Sequence, residues 1–163
     1  MRSLANPLIY IADNSTVYRK IVKNCLLALN YRNVYCFESI DKFFQNRIAP
    51  DILILENSFG KGRMTGMQLM LAHGEKFKDT RFIFLSSNTD LENAVSAIRG
   101  GAYDYIVKSK KGLERLVSRI DKLVKSYRTK QKHQRIYRAM VFSLGMFSLL
   151  FIVAIILYNN QVF

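Results

Sequence analysis

Asp51-Ile52-Leu53-Ile54-Leu55-Glu56, DILILE in one-letter code, is the stretch whose reading decides the fold. Four consecutive aliphatic residues follow a turn signal at Ala49-Pro50 and end in a carboxylate. So short and branched an apolar run reads as a strand buried on both faces, the usual setting of a central parallel strand. A helix would run longer and carry polar positions. Ligands of open parallel sheets bind beyond the carboxyl ends of the strands. Glu56 therefore stands where a site would be, the plain alternative being a solvated residue that opens a loop.

Similar runs lie on either side of it. Leu8 to Ala12 is entered through Pro7 and closed by Asp13, and Asn33 to Phe37 follows a turn. Arg81 to Leu85 ends in Ser86-Ser87, and Tyr103 to Val107 ends at Lys108. Between them the spacing predicts helices. Ser15 or Thr16 caps one over about 16–29, with Val17, Ile21, Cys25 and Leu29 recurring at helical spacing. Ser39 caps a short one that turns Ile40, Phe43 and Phe44 inward, and Gly66 to about Phe77 is buried through Met67, Met70 and Leu71. Asp90 to Arg99 is closed by Gly100-Gly101. Leu113 to Tyr127 is amphipathic, with Leu113, Leu116, Val117, Ile120, Leu123 and Val124 on one side. Strict alternation of five strands and five helices predicts an α/β fold: a parallel sheet with helices on both faces.

Charge divides the chain. Residues 1–107 hold 13 Lys/Arg against 10 Asp/Glu, and residues 108–163 hold 12 against 2. The globular part is nearly balanced, which argues against a nucleic-acid-binding domain. Cys25 and Cys36 have neither metal spacing nor a disulfide framework. The N-terminal residues lack a long apolar segment with a small-residue cleavage site, so reduced thiols in a cytoplasmic compartment are expected.

Residues 139–158, AMVFSLGMFSLLFIVAIILY, contain no charge. As a helix they would be about 30 Å long, the thickness of a bilayer's hydrocarbon core. Lys122, Lys125, Arg128, Lys130, Lys132, Arg135 and Arg138 precede them without an acidic residue, and 159–163 carry no side-chain charge. The positive-inside rule places the globular domain in the cytoplasm and the tail on the far side of a cytoplasmic (inner) membrane. The basic segment 122–138 is expected to meet anionic headgroups, and no nucleic acid is expected. The predicted organisation is a domain over 1–125, a basic linker over 126–138, a transmembrane helix over 139–158 and a short tail over 159–163. The linker has no Pro or Gly, so two forms are open: one continuous rod, or a flexible tether.

In a sheet ordered 2-1-3-4-5, the first and third strands flank the switch point, and Asp13, Glu56, Ser86 and Lys108 converge on one cleft. IADNSTVYRKIV, ILEN, Gly66, FIFLSS and GGAYDYIVK resemble the signature positions of the response-regulator (CheY-like) receiver domain of two-component phosphorelays. The match covers residues 8 to about 125. The resemblance implies phosphoryl transfer from a histidine kinase to a carboxylate ending strand three, with Mg²⁺ held there and by an acidic pair after strand one. Carried over by position, Glu56 is the phosphoacceptor position and a metal ligand, and Asp13 the remaining metal ligand. Ser86 is the phosphate-sensing hydroxyl, Tyr105 the switch aromatic and Lys108 the anion clamp. Electrostatic clamps of this kind suit phosphoryl transfer, where placement and charge neutralisation dominate.

The departures strike the chemistry. Glu56 replaces aspartate, moving the carboxylate out by one methylene, and such displacements remove much of a positioned rate enhancement. Ala12 takes one place of the acidic pair, and Mg²⁺ tolerates misplaced ligands poorly. Ser109 stands where the family has proline, and the loop after Glu56 runs about two residues long, adding Lys61 and Arg63. The expectation is a membrane-tethered pseudo-receiver, not an enzyme, acting through protein contacts with weak Mg²⁺ binding. Its rivals are a working phosphoacceptor and an anionic-lipid or nucleic-acid scaffold. His73 and His133 have no partner legible in sequence for phosphohistidine chemistry.

Overall fold

The structure, a computed structural model, describes residues 6–45, 48–73 and 76–161; in the last helix it describes backbone alone at 127–128, 130–135, 150–154 and 156–161. The chain divides into two compact units, Met1–Val124 and Lys125–Phe163.

The first unit alternates strands and helices in the expected order. The strands are β1 (Ile9–Ala12), β2 (Val34–Phe37), β3 (Ile52–Leu55), β4 (Arg81–Ser86) and β5 (Asp104–Val107). The helices are α1 (Thr16–Ala28), α2 (Ile40–Phe44), α3 (Gly66–Ala72), α4 (Leu91–Arg99) and α5 (Lys110–Gln161). All strand pairs are parallel, in the order β2-β1-β3-β4-β5. β1, β3 and most of β4 are buried throughout, which explains why they read as unbroken apolar runs. Alternate residues serve opposite faces. Tyr10, Ala12, Leu53, Leu55, Phe82, Phe84 and Tyr105 enter one cluster with Ile40 and Phe43 of α2, Leu69 and Met70 of α3 and Ala97 of α4. Ile9, Ile11, Ile52, Ile54, Ile83, Leu85 and Ile106 are buried on the other side.

Caps fix where the helices begin. Ser15, Ser39, Thr65 and Asp90 each accept a backbone N–H with the side chain, and Thr65 with Gln68 forms a reciprocal capping box. Two faces differ from the sequence expectation. In α1 the buried residues are Val22 and Leu26, whereas Val17 (64% exposed), Ile21 and Leu29 face solvent and Cys25 is half-buried. Apolar residues surround this helix so broadly that spacing alone does not select the inward arc. α3 ends at Ala72 with His73 as its C-cap, rather than near Phe77. Its buried residues are Gly66, Leu69 and Met70, and Leu71 is exposed. Phe77 is buried from a turn, next to Gly74 and Glu75, which lie outside the described residues. Phe77 instead packs its ring against Phe43 and Phe82.

Through Val124, α5 buries Leu116, Ile120, Leu123 and Val124. In the second unit the backbone is helical to Gln161, while Val162 and Phe163 of the expected tail lie outside the described residues. Among the described residues no helix is long and apolar enough to cross a membrane. The side chains of 150–154 and 156–158, part of the expected 139–158 span, lie outside that description.

Candidate functional site

Strand register builds the site before any side chain is placed. Ala12 pairs with Leu55, Leu55 with Phe84 and Ser86 with Val107. The ladder continues one step past the strands: Glu56 N–H donates to Ala12 O at 2.9 Å and Lys108 N–H to Ser86 O at 2.9 Å. Asp13, Glu56, Ser86 and Lys108 therefore leave the sheet at one edge, as the sequence predicts.

Their side chains meet. Lys108 Nζ lies 2.7 Å from Asp13 Oδ2 and 2.6 Å from Glu56 Oε2, with the side chains of all three only 4% exposed. Ser86 Oγ donates to Glu56 Oε1. The same oxygen accepts the backbone N–H of Asn57 at 2.7 Å and of Ser58 at 3.3 Å, and Oε2 accepts that of Ser87 at 3.3 Å. Asp13 Oδ1 accepts Ser15 N–H at 2.7 Å. Burial alone pulls the Lys108 ammonium down, but hydrogen bonds and charge from Asp13 and Glu56 outweigh it and hold its pKa above the ordinary lysine value.

Tyr105 is buried at the level of Phe84, on which its ring stacks, and its hydroxyl donates to Asn88 O at 3.1 Å. Asn88 N–H in turn donates to Ser86 Oγ at 3.3 Å. Glu56, Ser86, Asn88 and Tyr105 are thus linked through consecutive hydrogen bonds.

Three residues at this edge escape sequence reasoning. Asn57 accepts Gly66 N–H with its carbonyl and Met67 N–H with its amide oxygen, fixing α3 against the end of β3. Gly66 is required there, because a Cβ would lie 2.6 Å from Glu56 O. Asn88 carries the Ser86–Tyr105 link, and the Tyr18 ring lies 4.7 Å from Lys108 Nζ. Asn57 and Tyr18 fall inside stretches that carry the family resemblance, but the sequence assigns no role to either, and Asn88 is marked only by its place after a strand end. His73 packs edge-on against Phe44 at 4.6 Å, and the side chain of His133 lies outside the described residues.

Comparison with known proteins decides the family. The family model for the response regulator receiver domain matches residues 9–121. The chain belongs to the response regulator receiver family. It is similar to chemotaxis protein CheY1 of Helicobacter pylori, 26% identical over 101 residues, covering 60% of this chain and 82% of that protein. It is 34% identical over 62 residues to the regulatory protein LuxO of Vibrio cholerae, spanning 38% of this chain but 13% of LuxO. Among solved structures, a response regulator receiver protein from Pseudoalteromonas atlantica superposes with a TM-score of 0.65 at 24% identity, covering 74% of this chain and 99% of that one. The response regulator DrrB of Thermotoga maritima gives 0.64 at 22%, covering 73% and 52%. These structural likenesses carry the fold alone. The family places the domain in two-component signalling, where receivers interact with partners such as kinases.

Receiver domains typically bind Mg²⁺ at the phosphorylation site. The residues here do not fit one. Ala12 is fully buried in the apolar cluster and offers no oxygen. The facing oxygens of Asp13 and Glu56 both contact the Lys108 ammonium, and their other oxygens take Ser15, Ser86, Asn57 and Ser58 donors. Among the described residues no group of three His, Cys, Asp or Glu could hold a metal ion.

Proposed function

We propose that this chain is a membrane-tethered pseudo-receiver: it relays two-component signals through protein contacts, without taking phosphate and without catalysing a reaction. One observation carries the reading. The Glu56 carboxylate itself engages both Ser86 Oγ and Lys108 Nζ, the two groups that family resemblance assigns to phosphoryl oxygens. The extra methylene of glutamate supplies the reach. Both carboxylate oxygens accept several donors, which stabilises the anion and leaves it a poor nucleophile. Tyr105 is buried and joined to Ser86 through Asn88, which supports a domain held active-like without phosphate.

The tether reading rests on residues 139–158 and on exposure. Met140, Val141, Phe142 (73%), Leu144 (75%), Met146, Phe147 and Leu149 are all solvent-facing in α5. A contiguous apolar surface of this kind is rare on soluble proteins and marks contact with lipid or protein. Insertion in the cytoplasmic membrane, with 122–138 against anionic headgroups and the receiver in the cytoplasm, accounts for both the apolar and the basic runs.

The test is intact-mass spectrometry of the full chain in detergent after incubation with Mg²⁺ and a small phosphodonor. Wild type, Glu56→Gln and the double variant Glu56→Asp/Ala12→Asp are compared. Phosphate gained by the double variant alone is the expected result. Phosphate on wild type that Glu56→Gln abolishes would make the chain a working phosphoacceptor.

A further inference from the structure

We propose that Tyr18 closes the acid site: its ring caps the Lys108 ammonium, keeps it committed to Asp13 and Glu56, and shields it from water and small phosphodonor anions. Lys108 sits at an open edge of the domain, where Val107, Ser109, Lys110 and Lys111 are all exposed. Its own side chain is nonetheless 4% exposed. Asp13 and Glu56 meet the ammonium at one end, and the half-buried Tyr18 ring lies over it with the centroid 4.7 Å from Nζ. A cation over an aromatic face is attracted by the ring quadrupole, more strongly when water is excluded.

The placement of the ring is built into the loop after β1. Asp13 Oδ1 accepts Ser15 N–H at 2.7 Å, and Ser15 Oγ accepts Tyr18 N–H at 3.4 Å. Arg19 donates from Nη1 to Asp13 O at 2.5 Å and from Nη2 to Thr16 Oγ1 at 3.0 Å. The first turn of α1 is therefore tied to the same Asp13 that contacts Lys108. Asp13, which the family resemblance makes a metal ligand, here helps to seat an aromatic cap. Tyr18 is a positioning residue: it touches the lysine, not a reacting atom.

This inference deepens the pseudo-receiver reading, and its test does not depend on phosphate. The full chain in detergent micelles is pulsed with a lysine-acylating reagent, and labelling is followed by peptide-resolved mass spectrometry. Lys110 and Lys111 serve as exposed references. In wild type, Lys108 is labelled far more slowly than either. Tyr18→Ala raises the Lys108 rate about fivefold without changing the references, and Tyr18→Phe, which keeps the ring, stays within about twofold of wild type. Lys108 labelled as fast as Lys110 in wild type would overturn the proposal. So would a rate unmoved by Tyr18→Ala, a Phe variant that behaves like Ala, or references that accelerate together with Lys108. A wild type that accepts phosphate would sink the pseudo-receiver reading and leave this result standing.

Discussion

The carboxyl edge of the sheet and the stretch 140–149 of α5 handle their difficult groups in opposite ways. At the edge, three buried charges and a hydroxyl satisfy one another, and among the described residues no buried side-chain nitrogen or oxygen lacks a partner. Along 140–149, large apolar side chains are exposed. The first region satisfies its polar groups internally, whereas the second presents large apolar side chains to solvent. Family membership explains why the edge exists; only its particular residues explain why it is closed.

Breaking the closed edge should have the largest effect. Lys108→Met strands the Asp13 and Glu56 carboxylates without a cation and should cost about 3–5 kcal/mol of unfolding free energy, read by chemical denaturation. A loss near zero would mean that water, not Lys108, stabilises those carboxylates. Next comes the start of α5, which follows Lys108. A Cβ on Gly112 would lie 2.1 Å from Val107 O, so Gly112→Ala should cost about 1–3 kcal/mol by the same assay.

A pH titration sharpens the contrast further. Since the folded pKa of Lys108 is raised above its ordinary 10.5, its contribution is fully present below that value and is lost as pH rises through the folded pKa. The gap in thermal stability between wild type and Lys108→Met should hold at neutral pH and narrow as the pH rises into strong alkali. Smallest in stability is the effect at the other region. Phe142→Lys with Leu144→Lys should leave receiver unfolding within about 0.5 kcal/mol of wild type, while releasing the protein from vesicles in flotation. Unchanged flotation would count against the tether.

Much of the edge was legible because strand ends are marked in sequence. Asp13, Glu56, Ser86 and Lys108 each follow an apolar run, and parallel topology then brings them together. The inward arc of α1 was not legible. Val17, Ile21 and Leu29 are as apolar as Val22 and Leu26, so the choice between them belongs to the sheet on which the helix lies. The end of α3 was obscured for a similar reason: Phe77 is buried, but from a turn beyond the helix. The role of Tyr18 could not be read, because its partner Lys108 is supplied by a distant strand end. Gly66 was legible as a helix start, but its close approach to Glu56 O appears only in three dimensions.

A calorimetric Mg²⁺ titration of the wild-type chain beside Lys108→Met tests most directly whether the edge is closed on its own ammonium. Wild type should show no saturable Mg²⁺ binding across the millimolar range, with binding gained once the lysine is removed and the two carboxylates are left facing each other. Saturable binding by wild type, with Lys108 in place, would contradict that closure.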